Sequence, residues 1–534
     1  MQIVDVDVLI IGSGIAGMRA AIEVCRKGKS VVVVSKSAVG KANNTYLAGG
    51  LFTVSHENFS RDAHFEATLK SGRYLNKKSL VDIFVREAPR MVEELRQQGL
   101  NGKFLMTGFA TRGASFIGGP RICSLLTSEC RRAGVRFFEG VVVTDLLIKD
   151  GECIGAFGFH KRTGNLYGLR SAAVVLATGG AGGIYSDHDN APGMTGDGYA
   201  LGLQSSLELM DMEFVQFYPM VYAGRGKARM IIPAALADLG VIRNRLGEDL
   251  KEKYGLYDKP IAIVSRDRFA QALFEEIRLG NDEEGALLLD LRMTDEALIP
   301  GSDSLKALLK KLIAYDRIPV KIAPACHHTM GGLIINANGH TGIGNLFAAG
   351  EVVGGIHGAN RMGGNALSES LVFGAIGGGA AVEGLSSARK TLPNIKAMVE
   401  DCAQRSFQTK MDKKAKASSV ADISKRIGSI LWKKAGIVRN GQSLKGALVE
   451  IENILSDIEI QRAATPWELS KIIECKNAAI NAYSITLSAF ERTESRGSHY
   501  REDYPLEDVG WEKNIYLKMS EGRPKISRVA DTSE

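Results

Sequence analysis

Six residues near the amino terminus constrain this chain more than any other feature. Gly12-Ser13-Gly14-Ile15-Ala16-Gly17 follows the apolar run Asp5–Ile11, opens the helical stretch Met18–Lys27, and precedes a second apolar run, Val31–Val34. Strand, glycine turn, helix and strand in that order form a βαβ start with the dinucleotide fingerprint in its proper place. The first glycine permits the tight turn, the second lets backbone approach a pyrophosphate, and the third lets helix and strand pack closely. The helix N-terminus adds NH groups and a positive dipole end. The motif alone is weak. Its position between two strands is what favours a nucleotide cofactor.

The second strand ends in Ser35-Lys36, where many such folds place an acidic residue for the adenosine ribose, so a plain NAD site is disfavoured. Further glycine clusters follow: Thr178-Gly179-Gly180-Ala181-Gly182-Gly183 after the apolar run Ala172–Ala177, and Gly342-Ile343-Gly344 continuing to Gly350-Glu351. Three glycine-rich visits suit a large, two-ended cofactor such as FAD.

The chain has 534 residues, enough to bury a core and enclose such a cofactor without disulfide staples. Seven cysteines lack any metal-ligand rhythm, and Cys123 and Cys130 are too far apart for a CxxC site, so free thiols are expected and no metal or cluster. Lys plus Arg number 67 against 60 acidic residues, a weak field with no concentrated basic face, which argues against nucleic acid. The densest basic segment, Lys410–Lys416, reads as solvated helix surface. No run reaches the ~18 apolar residues of a membrane span, and the first residues show no basic n-region, apolar h-region or small-residue cleavage site, so export by a signal peptide is not expected. A cytoplasmic location is expected, or one peripheral to the inner face of a membrane through a partner.

Residues ~219 to ~324 interrupt the cofactor segments with mixed α and β patterns and read as a cap. Beyond residue ~386 amphipathic helical spacing takes over, in Ile395–Phe407, Ile423–Lys434 and Leu444–Ile460. The expected architecture is α/β: a Rossmann-like FAD-binding domain in two parts (1–218 and 325–385), an inserted α+β capping domain (219–324) and a C-terminal helical domain (386–490). A polar tail (491–534) is expected to wrap the surface or fray.

Several ordered segments together resemble the flavoprotein subunit of the succinate dehydrogenase/fumarate reductase family, which includes L-aspartate oxidase. They are the first fingerprint, Ala177-Thr178-Gly179-Gly180, Thr195-Gly196-Asp197-Gly198, Glu213-Phe214-Val215-Gln216-Phe217, Ser265-Arg266-Asp267, His327–Gly332 and His357–Arg361. Gly436–Arg439, Ser495-Arg496-Gly497 and Arg501–Pro505 extend the likeness to nearly the whole chain. The resemblance implies FAD held by Gly12, Gly14, Ala16, Gly17, Ser35, Lys36, Gly49, Gly50, Ala177, Thr178, Gly179, Asp197, Glu351, Asn365 and Leu367. Asn43 stands nearest the position where respiratory members carry a flavin-linked histidine; asparagine cannot form that bond, so the FAD should be non-covalent.

The family exchanges hydride between flavin N5 and one carbon of a C=C bond, with proton transfer at the neighbouring carbon. An alkene accepts hydride only if an adjacent carbonyl or carboxylate takes up the developing charge, so the site needs cations at that oxygen and an acid beside the other carbon. By resemblance Arg266 is the proton donor, and Arg361 with His327 hold the carboxylate. His327 and His328 would face opposite ways in a strand, so only His327 is expected to reach the substrate. Arg439 and Asn440 read as structural. An iron–sulfur subunit is the expected electron-transfer partner.

Departures bear on substrate. Tyr218 and Met220 replace the family's usual histidine and threonine, Ile231-Ile232-Pro233-Ala234 replaces a Thr-Glu pair, and Asp249 stands near the usual relay arginine. Tyr218, Met220 and Ile232 are therefore the expected substrate-pocket residues, and an unsaturated acid with an apolar far end fits better than fumarate unless Arg229 or Arg243 moves in. The alternatives are an L-aspartate oxidase-like enzyme and a non-catalytic FAD electron-transfer subunit.

Overall fold

The computed structural model describes residues 1–111, 118–224, 230–233, 236–259, 261, 266–299, 303–385, 393–414 and 420–532. Strand β1, Gln2–Ile11, runs into helix α1, Ile15–Arg26, and β2, Val31–Ser35. The run Val8–Ile11 carries no polar residue because both faces of the sheet are covered there. β1 pairs in parallel with β2 (Val8↔Val31 to Ile11↔Val34) and, on its other edge, with β3, Leu166–Leu176 (Gln2↔Tyr167 to Ile11↔Leu176). β3 shares its far edge between two strands. Glu152–His160 lies antiparallel along its first half, and β4, Leu346–Ala348, lies parallel along its second.

The consequence is positional. β1, β2, β3 and β4 all point their carboxyl ends the same way, so the loops at Gly12, Ser35, Ala177 and Ala349 converge at one end of the sheet. Two glycines are required there. Gly12 has φ +116°, and a Cβ on it would stand 2.0 Å from Ala177 O; a Cβ on Gly17 would stand 2.1 Å from Gly12 O.

The cap is an antiparallel sheet in the order Val215–Tyr222, Val320–Thr329, Leu287–Asp290, Val241–Arg243. It has its own apolar core, which includes Met220, Ile232, Ile242, Phe269, Leu273 and Leu289. Helix α2, Arg266–Arg278, packs on Val215–Tyr222. Helix α3, Asn365–Glu383, packs on α1. Helices α4 (Val420–Lys434), α5 (Gly441–Glu459) and α6 (Pro466–Glu491) then form the C-terminal helical region, as the periodicity predicts for the first two. Among the described residues no helix is long and apolar enough to cross a membrane.

Of the two outcomes expected of the tail, wrapping the surface or fraying, residues 513–531 do not show the second. Instead of fraying, Lys513–Ser520 and Arg523–Asp531 form a hairpin whose first strand pairs with Leu209–Met210, and Ile515, Tyr516 and Leu517 are buried. Its approach is fixed by buried charges. Arg492, fully buried, donates to Glu213 Oε1 at 2.7 Å, Glu494 Oε1 at 2.9 Å and Lys513 O at 2.8 Å. Arg439 is equally buried, donating to Gly436 O and Glu213 O, each at 2.8 Å, and Asn440 caps α5 by accepting from Ser443 N. Both do the structural work expected of them.

Candidate active site

At the convergent strand ends lies a cavity of about 490 Å³, within the range of about 300–1,000 Å³ typical of ligand pockets. Gly12, Gly14, Ala16, Ser35, Lys36, Gly49, Gly50, Ala177, Thr178, Gly179, Asp197, Glu351 and Leu367 all line it. Two expected members do not. Gly17 sits behind the turn, where its missing Cβ lets α1 press against Gly12. The Asn365 side chain is turned away, donating to Thr68 Oγ1 at 3.0 Å and standing 3.0 Å from His64 Nε2.

The groups present fit a dinucleotide. The N-cap residue of α1, Gly14, has no side chain to cap the helix, Thr45 Oγ1 accepts from Ile15 N at 3.1 Å, and Gly14, Ile15 and Ala16 line the cavity. Thr178 Oγ1 and His328 Nε2 are buried without a hydrogen-bond partner among the described residues, as polar atoms awaiting a ligand would be. Lys36 Nζ lies 2.6 Å from Asp197 Oδ2 and 3.4 Å from Glu474. Burial opposes the Lys36 charge, but Asp197 and Glu474 outweigh it and hold the ammonium above its usual value. Asn43 also lines the cavity, its Oδ1 accepting from Tyr46 N at 2.9 Å and its Nδ2 donating to Ser13 O at 3.2 Å.

Arg266, His327 and Arg361 line the same cavity. Arg266 is the first residue of α2 and is buried; its guanidinium lies 5.9 Å from the Tyr218 ring centroid. Burial holds it below the ordinary arginine value. Arg361 is pushed down to about 9, by burial first and by the charge of Arg266 second. It donates through Nη2 to Gln216 Oε1 at 2.9 Å, while Gln216 Nε2 donates to Asn360 Oδ1 at 2.7 Å and Arg361 O at 2.9 Å. Arg361 Nε is buried with no partner among the described residues. Two neighbouring guanidinium groups, one with an uncommitted donor, make an anion site.

His327, on Val320–Thr329, sets Nδ1 2.7 Å from Asp189 Oδ2. His328 also lines the cavity, between Glu351 (3.4 Å) and the His357 ring. Burial keeps it well below the ordinary histidine value, and Arg361 adds to that.

The pocket expectation is corrected in part. Tyr218 lines the cavity, but Met220 and Ile232 are buried in the cap core, and Ile231 lines the cavity instead. The Tyr218 hydroxyl donates to Ile232 O at 2.9 Å, so a ring faces the site. Arg243 is exposed and donates to Gly247 O, and Asp249 caps the short helix Leu250–Lys253; neither lines the cavity. Arg229, Ala234 and Ser265 lie outside the described residues. Gln216 and Asp189 are the members that sequence reasoning missed.

Residues 7–367 match the FAD binding domain family, and residues 424–530 match the fumarate reductase flavoprotein C-terminal family. The chain is 34% identical to a fumarate reductase (CoM/CoB) protein of Methanothermobacter marburgensis, over 97% of each chain. It is 28% identical to a chloroplastic L-aspartate oxidase of Oryza sativa subsp. japonica, over 97% of this chain and 83% of that protein. The solved structure of a variant of the E. coli quinol fumarate reductase chain FrdA superposes with a TM-score of 0.88 at 26% identity, covering 99% of this chain and 97% of that one.

Proposed function

The chain belongs to the FAD-dependent family of fumarate reductase and succinate dehydrogenase flavoproteins, and from that premise we propose that it exchanges hydride between flavin N5 and the C=C bond of fumarate or a related unsaturated carboxylate. The observation that carries this reading is that Arg266, His327 and Arg361, from separate stretches of chain, line one cavity together with the glycine turns. FAD, when bound, supplies the hydride acceptor or donor. The side chains supply the rest.

Arg361 and His327 hold the substrate carboxylate, and Arg266 protonates the carbon next to the one that receives hydride. An arginine is a poor acid in water. Here burial destabilises the charged form of Arg266 and outweighs Tyr218 and Asp267, which favour it, so the proton is easier to give to a strongly basic nascent carbanion. The bound carboxylate in turn relieves the repulsion between the two guanidinium groups.

The same reading makes the FAD non-covalent, because Asn43 has no nucleophilic nitrogen to offer the flavin. It takes the electrons from an iron–sulfur subunit and places the chain in the cytoplasm, or at the inner face of a membrane through that partner. A specific observation favours acids with one carboxylate over fumarate: Tyr218 and Ile231 present ring and alkyl surface where a second carboxylate would need a donor.

The test is anaerobic. The FAD-loaded protein is bleached with dithionite and mixed separately with fumarate, crotonate, cinnamate and iminoaspartate while flavin absorbance is followed. Return of colour with at least one enoate is expected, faster with crotonate or cinnamate than with fumarate. Reoxidation by none would overturn the proposal in favour of a non-catalytic electron-transfer subunit. Peroxide from aspartate and oxygen, without enoate reduction, would overturn it in favour of an amino-acid oxidase.

A further inference from the structure

Asp189 is a carboxylate that the reaction just described does not use, yet its side chain is only 3% exposed and lines the substrate cavity. It is also built into place. Asp189 N donates to Cys326 O at 3.1 Å, Cys326 N donates to Asp187 O at 2.8 Å, and His188 and Cys326 form a parallel bridge. Asn190 Nδ2 adds bonds to Cys326 O at 3.1 Å and His327 O at 3.2 Å. The segment 187–190 thus runs beside the strand that carries His327, in a register that delivers one carboxylate oxygen to His327 Nδ1 at 2.7 Å.

We propose that Asp189 is a positioning residue: it fixes a proton on His327 Nδ1, locks the ring plane, and so presents Nε2 to the substrate carboxylate. The inference rests on the functional reading above. An ionised carboxylate can only accept, so the proton of this bond belongs to the imidazole. Which nitrogen of a neutral histidine is protonated is set by the bond the other makes. With Nδ1–H committed, Nε2 is the nitrogen left for the cavity. When a substrate carboxylate arrives there, the ring lies between two carboxylates, and its doubly protonated form donates to both. A ring held this way loses no rotamer freedom on binding, whereas an unanchored one, beside Tyr218 (ring centroids 5.5 Å apart), would.

Two measurements on the FAD-loaded enzyme test this. The first is the two-bond ¹⁵N–¹H spectrum of the ligand-free protein at pH 8, with the His327 signals assigned by their loss in His327→Gln. The proton is expected on Nδ1; a neutral ring protonated on Nε2 would overturn the proposal. This reading needs neither turnover nor an Asp189 variant, so it stands or falls apart from the assignment of enoate chemistry, which the flavin panel decides.

The second uses the enoate that reoxidises the wild type. Asp189→Ala should raise KM about tenfold with kcat within about threefold, and Asp189→Asn, which retains an acceptor oxygen, should recover most of the loss. In the His327→Gln background Asp189→Ala should add less than about twofold, since the two residues act as one unit. Equal effects of Asp189→Ala with and without His327, or loss confined to FAD content, would overturn the proposal.

Discussion

Arg361 carries its charge into a wall shielded from water, and Gln216 holds it there with one side-chain bond while bonding to its backbone carbonyl with another. Gln216→Leu keeps the size and removes both. A buried guanidinium deprived of its acceptor loses about 1–3 kcal/mol. The expected result in steady-state kinetics is a KM for the enoate raised roughly 10- to 100-fold, with FAD content unchanged. At this scale the sequence exposes the cations but not their holders. Arg266, His327 and Arg361 are legible because each sits in a distinctive motif. Asp189 is not, because it lies 138 residues before His327 and no spacing rule links the two. Ile231 and Ile232 show a finer failure: adjacent residues with the same side chain take opposite sides, and only the bridge Val221↔Ile231 decides which one faces the cavity.

Among the elements, α1 is the one whose placement the cofactor end of the cavity depends on. Its close approach to β1 is made possible by Gly17, so Gly17→Ala would drive a methyl group against Gly12 O, a backbone atom that cannot yield without moving the turn. A loss of about 1–3 kcal/mol is expected, read as a lower Tm, together with a reduced ratio of flavin to protein absorbance in the purified enzyme. The glycine turn and helices α4 and α5 are legible because each has one apolar face or a fixed turn chemistry. Helix α6 is not, although it spans 26 residues: it is buried on nearly every side, so it shows no alternation of apolar and polar faces. The terminal hairpin escapes notice for the opposite reason. Its residues alternate with enough Lys, Arg and Ser to read as a loose tail, while the inward-facing Ile515 and Leu517 pack beneath them.

Across the whole molecule, four parallel strand ends gather the glycine loops, the cap contributes Tyr218, Ile231 and Arg266, and the strand Val320–Thr329 that leaves the cap returns His327 and His328 to the same cavity. Buried Arg492, bonded to Glu213 beside the cap strand and to Lys513 of the hairpin, ties the C-terminal region to this frame. The arrangement has one chemical purpose in our account: to bring a desolvated guanidinium against an alkene already polarised through its carboxylate. The most direct test is the single-turnover oxidation of pre-reduced FAD by the active enoate, wild type against Arg266→Gln. The account predicts a rate lower by about 10²- to 10⁴-fold with FAD content and substrate affinity little changed. A rate within tenfold of wild type would contradict it.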